Sequence, residues 1–271
     1  MAKPANPDRG LSRHTRGFWP LPGGVRTRYV GFEAVSLEFE ALGTRPDLIA
    51  FEKDEKMVPF GAGLERQRKR GWDKVGSFSI KASRLGGGFI TGWCVSAGYS
   101  AEAGYFFFCV GSDIAKSDDG YFISLARRTF DSIPFDYGMI YRRRLDLGAD
   151  LYAVGLIAGL GHLKEKEAER RAIAKWMHAP DHFRERNDSY ASHLRDVYEV
   201  NFLSPVHLTR PVDGTPLQEW VSSAPRRGVL KPFTGDRSVW KIEKSDVASV
   251  RERLIANSLL VAYQKDVPPF S

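Results

Sequence analysis

GSFSIKASRLGGGFITGWCVSAGYSAEAGYFFFCVG, residues 76–111, carries the clearest strand pattern in the chain. Residues 76–82, 89–97 and 105–111 are three short runs rich in β-branched and aromatic side chains. Gly86-Gly87-Gly88 and Gly98-Tyr99-Ser100-Ala101 lie between them. Parallel neighbours need a crossover of a dozen or more residues, and these links are too short for one. The pattern predicts an antiparallel β meander.

Upstream, residues 26–42 (RTRYVGFEAVSLEFEAL) read as extended, with Val35, Leu37 and Phe39 alternating with Ser36, Glu38 and Glu40. Residues 44–71 are polar, with a short helix expected near Leu64. Downstream, Phe122, Leu125, Ala126 and Phe130 recur at helical spacing and predict a helix over 120–133, stopped by Pro134. Residues 138–145 read as a strand and 163–178 as a helix with i,i+4 charge relations. A second helical piece is expected over 183–194, strands over 197–203 and 238–243, and a short helix over 216–223. Ser245 is placed to cap a helix running to about Asn257, and 259–263 reads as a last strand. Strands cluster early and helices late. That order predicts an α+β fold, an antiparallel meander with helices packed on it and a helix-richer C-terminal half.

The chain has 271 residues, 42% hydrophobic and 27% charged, which excludes disorder throughout. The two cysteines, Cys94 and Cys109, exclude a disulfide scaffold and sit in apolar runs as small buried hydrophobes; a bridge between neighbouring strands stays open. No apolar run approaches the roughly 20 residues of a membrane span. The first 24 residues lack the apolar segment of a signal peptide. A cytoplasmic, reducing location is expected, with no membrane partner.

Net charge is +7, but it is unevenly spread. Residues 1–24 carry Lys3, Arg9, Arg13 and Arg16 against Asp8, leaving 36 basic and 32 acidic residues for 25–271. The expected organisation is a mobile basic tail over 1–24 and one α+β domain over 25–271. Two further clusters stand out. Arg66, Arg68, Lys69 and Arg70 precede Trp72, a basic run beside an aromatic that suits phosphate and base contacts as well as a solvated helix face. Arg142-Arg143-Arg144 falls in a strand, where three arginines point to an edge or partner-facing position.

Catalytic motifs are not evident. His178 and His182 are four apart, but Pro180 interrupts a continuous helix. The Gly86–Gly88 run is not followed by a helix pattern whose amides could bind phosphate. Nucleophile-elbow and Walker A spacings are missing. No catalytic residue, metal ligand or cofactor is assigned.

DVYEVNFLSPVHLTRPVDGTPLQEW, residues 196–220, is followed by a Gly-containing turn, the strand SVWKIE, a helix and the apolar LLVAY. This layout, with Asn201-Phe202-Leu203-Ser204 at its core, resembles the C-terminal half of bacterial toxin-system immunity proteins, the immunity protein 52 family and related type VI immunity proteins. The resemblance implies a non-catalytic protein that neutralises a toxin by stoichiometric binding. Three functions follow as expectations. The first is a protein-binding factor using Trp72, Arg142 and Arg144 as anchors, since exposed aromatic and Arg side chains commonly carry interfaces. The second is a nucleic-acid-associated accessory protein using the tail with Arg66, Arg68, Lys69 and Arg70. The third is an enzyme whose site assembles from distant residues.

Overall fold

Antiparallel pairing organises the chain into a ten-stranded sheet with helices packed against it. The computed structural model describes residues 11–18, 25–51, 56–72, 75–83, 93–100, 105–111, 119–130, 135–144 and 192–260. The expected helices over 163–178 and over most of 183–194, the His178/His182 pair and the Gly86–Gly88 run lie outside the described residues.

The predicted meander is its heart: β4 (Ser77–Ser83), β5 (Trp93–Ser100) and β6 (Tyr105–Val110), paired antiparallel in succession. In β4 the side chains of Phe78, Ile80 and Ala82 are buried in alternation, the period of a strand with one covered face. In β6 every residue from Phe106 to Val110 is buried, so both faces are covered. Cys94 and Cys109 are buried thiols rather than a disulfide. Cys109 stands opposite Ser96, while Cys94 directs Sγ to the Ala82 carbonyl at the irregularity that ends β4.

The remaining strands are β1 (Leu11–Phe18), β2 (Leu48–Phe51), β3 (Val58–Pro59), β7 (Tyr137–Arg144), β8 (Val200–Leu203), β11 (Val229–Pro232) and β12 (Ser238–Lys241). Their order is β11-β12-β8-β7-β1-β6-β5-β4-β2-β3. A separate hairpin joins β9 (Pro211–Val212) to β10 (Thr215–Pro216). Both outer strands of the large sheet are short and carry a proline, Pro59 and Pro232, which removes a donor and discourages strand addition.

Three sequence expectations change here. Leu11–Phe18, read as part of a mobile tail, is a central strand paired with both β6 and β7. The arginine-bearing β7 is interior, between β1 and β8, not an edge. The 26–42 segment is the helix α1 (Val25–Ala41), not a strand. Burial explains the last correction. Phe32, Val35 and Phe39 are buried at i, i+3 and i+7, while Leu37, which alternation had placed inside, is 63% exposed. Each such buried side chain contributes roughly 1.5–3 kcal/mol, so the helical stripe outweighs a local two-residue pattern.

Other helices are α2 (Phe60–Arg70), α3 (Asp119–Phe130), α4 (Pro205–Leu208), α5 (Leu217–Ser222) and α6 (Val247–Ala256). The residue capping α6 is Asp246 rather than Ser245, and it makes no side-chain cap bond. One core cluster gathers α1, α3 and one face of the meander around Phe39, Phe108 and Phe122. A second packs α5 and α6 on Tyr141, Trp240 and Leu203. At Gly228 (φ +88°) a Cβ would run into the Lys241 carbonyl oxygen and Trp240 Nε1, so only glycine lets the chain enter β11.

Candidate interaction surface

Two of the side chains nominated from the sequence, Trp72 and Arg142, are engaged within the fold. Trp72 packs on Phe32 and Phe51, with ring centroids 4.9 and 5.7 Å apart, as a partly buried wall of the first core. Arg142 Nη2 donates to Asp119 Oδ1 at 2.6 Å, and Nη1 lies 3.7 Å from Glu199 Oε1. It therefore ties α3 to the segment entering β8. Arg144 ends β7 opposite Leu11.

Arg66, Arg68, Lys69 and Arg70 lie on α2, the last three in its final turn. Cations there offset the negative end of the helix dipole, an effect of about 0.3–1 kcal/mol each at the surface. Lys69 also bonds Glu65 at 3.0 Å, an exposed i,i+4 pair. Gln67, buried on the same helix, donates from Nε2 to the Gly71 carbonyl at 2.7 Å and closes the helix end. The structure thus brings the four cations together on one helix, apart from Arg142 and Arg144 on β7.

Two polar clusters escaped sequence reasoning. Glu38 on α1 is buried and holds Arg128 of α3 in a fork, with Nε to Oε1 at 2.8 Å and Nη2 to Oε2 at 2.9 Å. Tyr121 adds a hydroxyl bond to the same carboxylate at 3.4 Å. Burial, then the Glu38 charge, raises the Tyr121 pKa. The pair is a helix-to-helix clamp.

The second cluster resembles a catalytic dyad in distance alone. Ser204 Oγ lies 2.7 Å from His207 Nδ1, and the Ser204 amide donates to the same nitrogen at 3.2 Å. The amide bond to His207 belongs to a capping box at the start of α4. Both residues are almost fully buried. Burial pushes the His207 pKa down to about 4. The imidazole is neutral at physiological pH and acts as a fixed acceptor. Beside it, the Tyr137 hydroxyl donates to the Asp196 carbonyl oxygen, and Asp196 accepts from Arg251 Nε at 2.7 Å. Burial raises the Asp196 pKa against the Arg251 charge. Among the described residues no group of three His, Cys, Asp or Glu side chains is placed to hold a metal ion. Among the same residues no helix is long and apolar enough to cross a membrane.

One concave surface feature among the described residues is an open groove of about 410 Å³ between α4, α5 and β11. Leu208, Leu230 and Pro232 line it together with the polar Glu219 and Lys231. Val206 on α4 and Val229 on β11, exposed by 42% and 53%, lie on the elements that bound it. A shallow apolar groove with a polar rim suits contact with another protein more than enclosure of a small molecule.

No family model matches the chain, and no curated protein matches it. Among solved structures, the fold is similar to that of the Pseudomonas aeruginosa T6SS protein PA0821. The TM-score is 0.53 at 9% identity, over 93% of this chain and 73% of that one. What the two chains share at that identity is the α+β fold.

Proposed function

We propose that this chain is a non-catalytic binding protein of a bacterial conflict system linked to type VI secretion, acting as an immunity factor that occupies a toxin stoichiometrically. The observation that carries the reading is the likeness of fold to a T6SS protein over 93% of the chain. The chemistry of the described residues supports it. Ser204 and His207 cap a helix, Glu38 and Arg128 clamp two helices, and Arg251 holds Asp196. These polar groups are committed to the fold, while an apolar groove and two exposed valines face outward. Such a protein works by covering its target, so its activity scales with the amount bound and not with turnover.

Co-expression with the toxic product of a gene adjacent to its own in the source genome tests this. Growth rescue that demands at least equimolar amounts of this chain supports it. Unchanged killing at equimolar amounts, or rescue at a small fraction of the toxin's abundance, contradicts it.

A further inference from the structure

The proposed binding role leaves the contact surface and the partner's chemistry open, and the β11–β12 hairpin speaks to both. The register pairs Val229 with Lys241 and Lys231 with Val239. Directly opposed residues share a face, and so do residues two apart on one strand. Val229, Lys231, Val239 and Lys241 therefore lie on one side of the hairpin, the side whose Val239 belongs to the first core with Phe233. Val239 and Phe233 are buried, whereas Val229, Lys231 and Lys241 are exposed. Arg127 of α3 reaches the same margin, its guanidinium 5.4 Å from the Phe233 ring centre.

The charge pairing around this patch is uneven. Arg128, Arg142, Arg237, Arg251 and Arg253 each meet a carboxylate. Arg127, Lys231 and Lys241 have no carboxylate partner among the described residues. Guarding the sheet edge does not account for them. Pro232 already blunts β11, Lys241 is on an interior strand, and Arg127 is on a helix.

We propose that this face docks an acidic protein surface, whose carboxylates meet Arg127, Lys231 and Lys241 while an apolar side chain seats against Val229. On this face Val229 has Lys231 two residues along β11 and Lys241 directly opposite on β12, and among the described residues no aromatic side chain is fully exposed to offer a stacking platform. That combination favours a carboxylate-bearing protein face over a nucleic acid. The surface rests on the binding role proposed above.

The probe is a fluorescein-labelled Glu-rich peptide of about twelve residues with a central Leu pair, titrated by anisotropy at low salt. Binding should be saturable and weaken as salt rises. K231E/K241E should weaken it by about tenfold or more, and Val229→Ser by a few-fold, through loss of charge and apolar complementarity. Circular dichroism of both variants should match the parent, because the substituted side chains are exposed. No saturable binding, or equal affinity in the parent and K231E/K241E, overturns the proposal. Tighter binding of a short DNA duplex through the same residues also overturns it. If K231E/K241E fully retains growth rescue, this surface is wrong while the immunity reading stands. If the parent chain itself never rescues, the immunity reading is the one that falls.

Discussion

Acidification should weaken the fold through one imidazole. His207 is buried in the second half of the sheet, where its Nδ1 accepts from Ser204. Burial is the main reason its pKa falls from 6.5 to about 4, and the Arg237 charge lowers it further. Between those two values the unfolded chain binds a proton that the folded chain excludes, so stability is lost as pH falls. The slope approaches about 1.4 kcal/mol per pH unit. Going from about pH 8 to about pH 5 removes about 2 kcal/mol, approaching about 3 kcal/mol at pH 4. Asp196, whose pKa is raised, pulls the other way, but it is common to parent and variant. His207→Asn isolates the effect: its amide oxygen can accept from Ser204 but does not titrate. Urea unfolding followed by circular dichroism should show the parent losing about 2 kcal/mol more than H207N between those pH values. Equal pH dependence in the two proteins, or a His207 proton titrating near 6.5 by NMR, would rule this coupling out.

Other consequences are as direct. Arg128→Ala strands the buried Glu38 carboxylate and should cost about 1–3 kcal/mol, the range kept low because Arg128 itself is half-exposed; E38Q/R128A should recover part of that in a double-mutant cycle. Leu37→Lys should change stability by less than about 0.5 kcal/mol, whereas Val35→Ala should cost about 2 kcal/mol, which chemical denaturation can separate. Gly228→Ala should cost about 2 kcal/mol or more, because its backbone is left-handed and its Cβ meets Lys241 and Trp240. Trp72→Ala should lower the melting temperature through lost packing on Phe32 and Phe51.

The meander was legible because its signals are local: alternation in Phe78, Ile80 and Ala82, and links too short for a crossover. The helix at Asp119–Phe130 was legible for a similar reason, its apolar spacing being unambiguous. The segment 25–41 misled because it carries two periods at once. Val35, Leu37 and Phe39 alternate, but Phe32, Val35 and Phe39 also make a helical stripe, and only packing against the sheet chooses between them. Leu11–Phe18 gave no strand signal because Arg13, His14, Thr15 and Arg16 dominate its composition, and its pairing partners lie about ninety residues or more away. Charge patterning gave no guide to where the arginines sit in the fold. Arg142 lies where two distant carboxylates converge, and no local pattern reveals that. The hairpin cations were visible as Lys231 and Lys241 beside alternating valines, yet their shared face emerges only from the register.

Stoichiometric binding is most directly tested by mixing purified chain with the purified toxic product of the adjacent gene. Light scattering on the size-exclusion eluate would then weigh the product. A stable complex with a fixed ratio of the two chains is expected, both recovered intact, and it should be lost in K231E/K241E. Two separate peaks at micromolar concentration, or a toxin covalently altered by a trace of this chain, would contradict it.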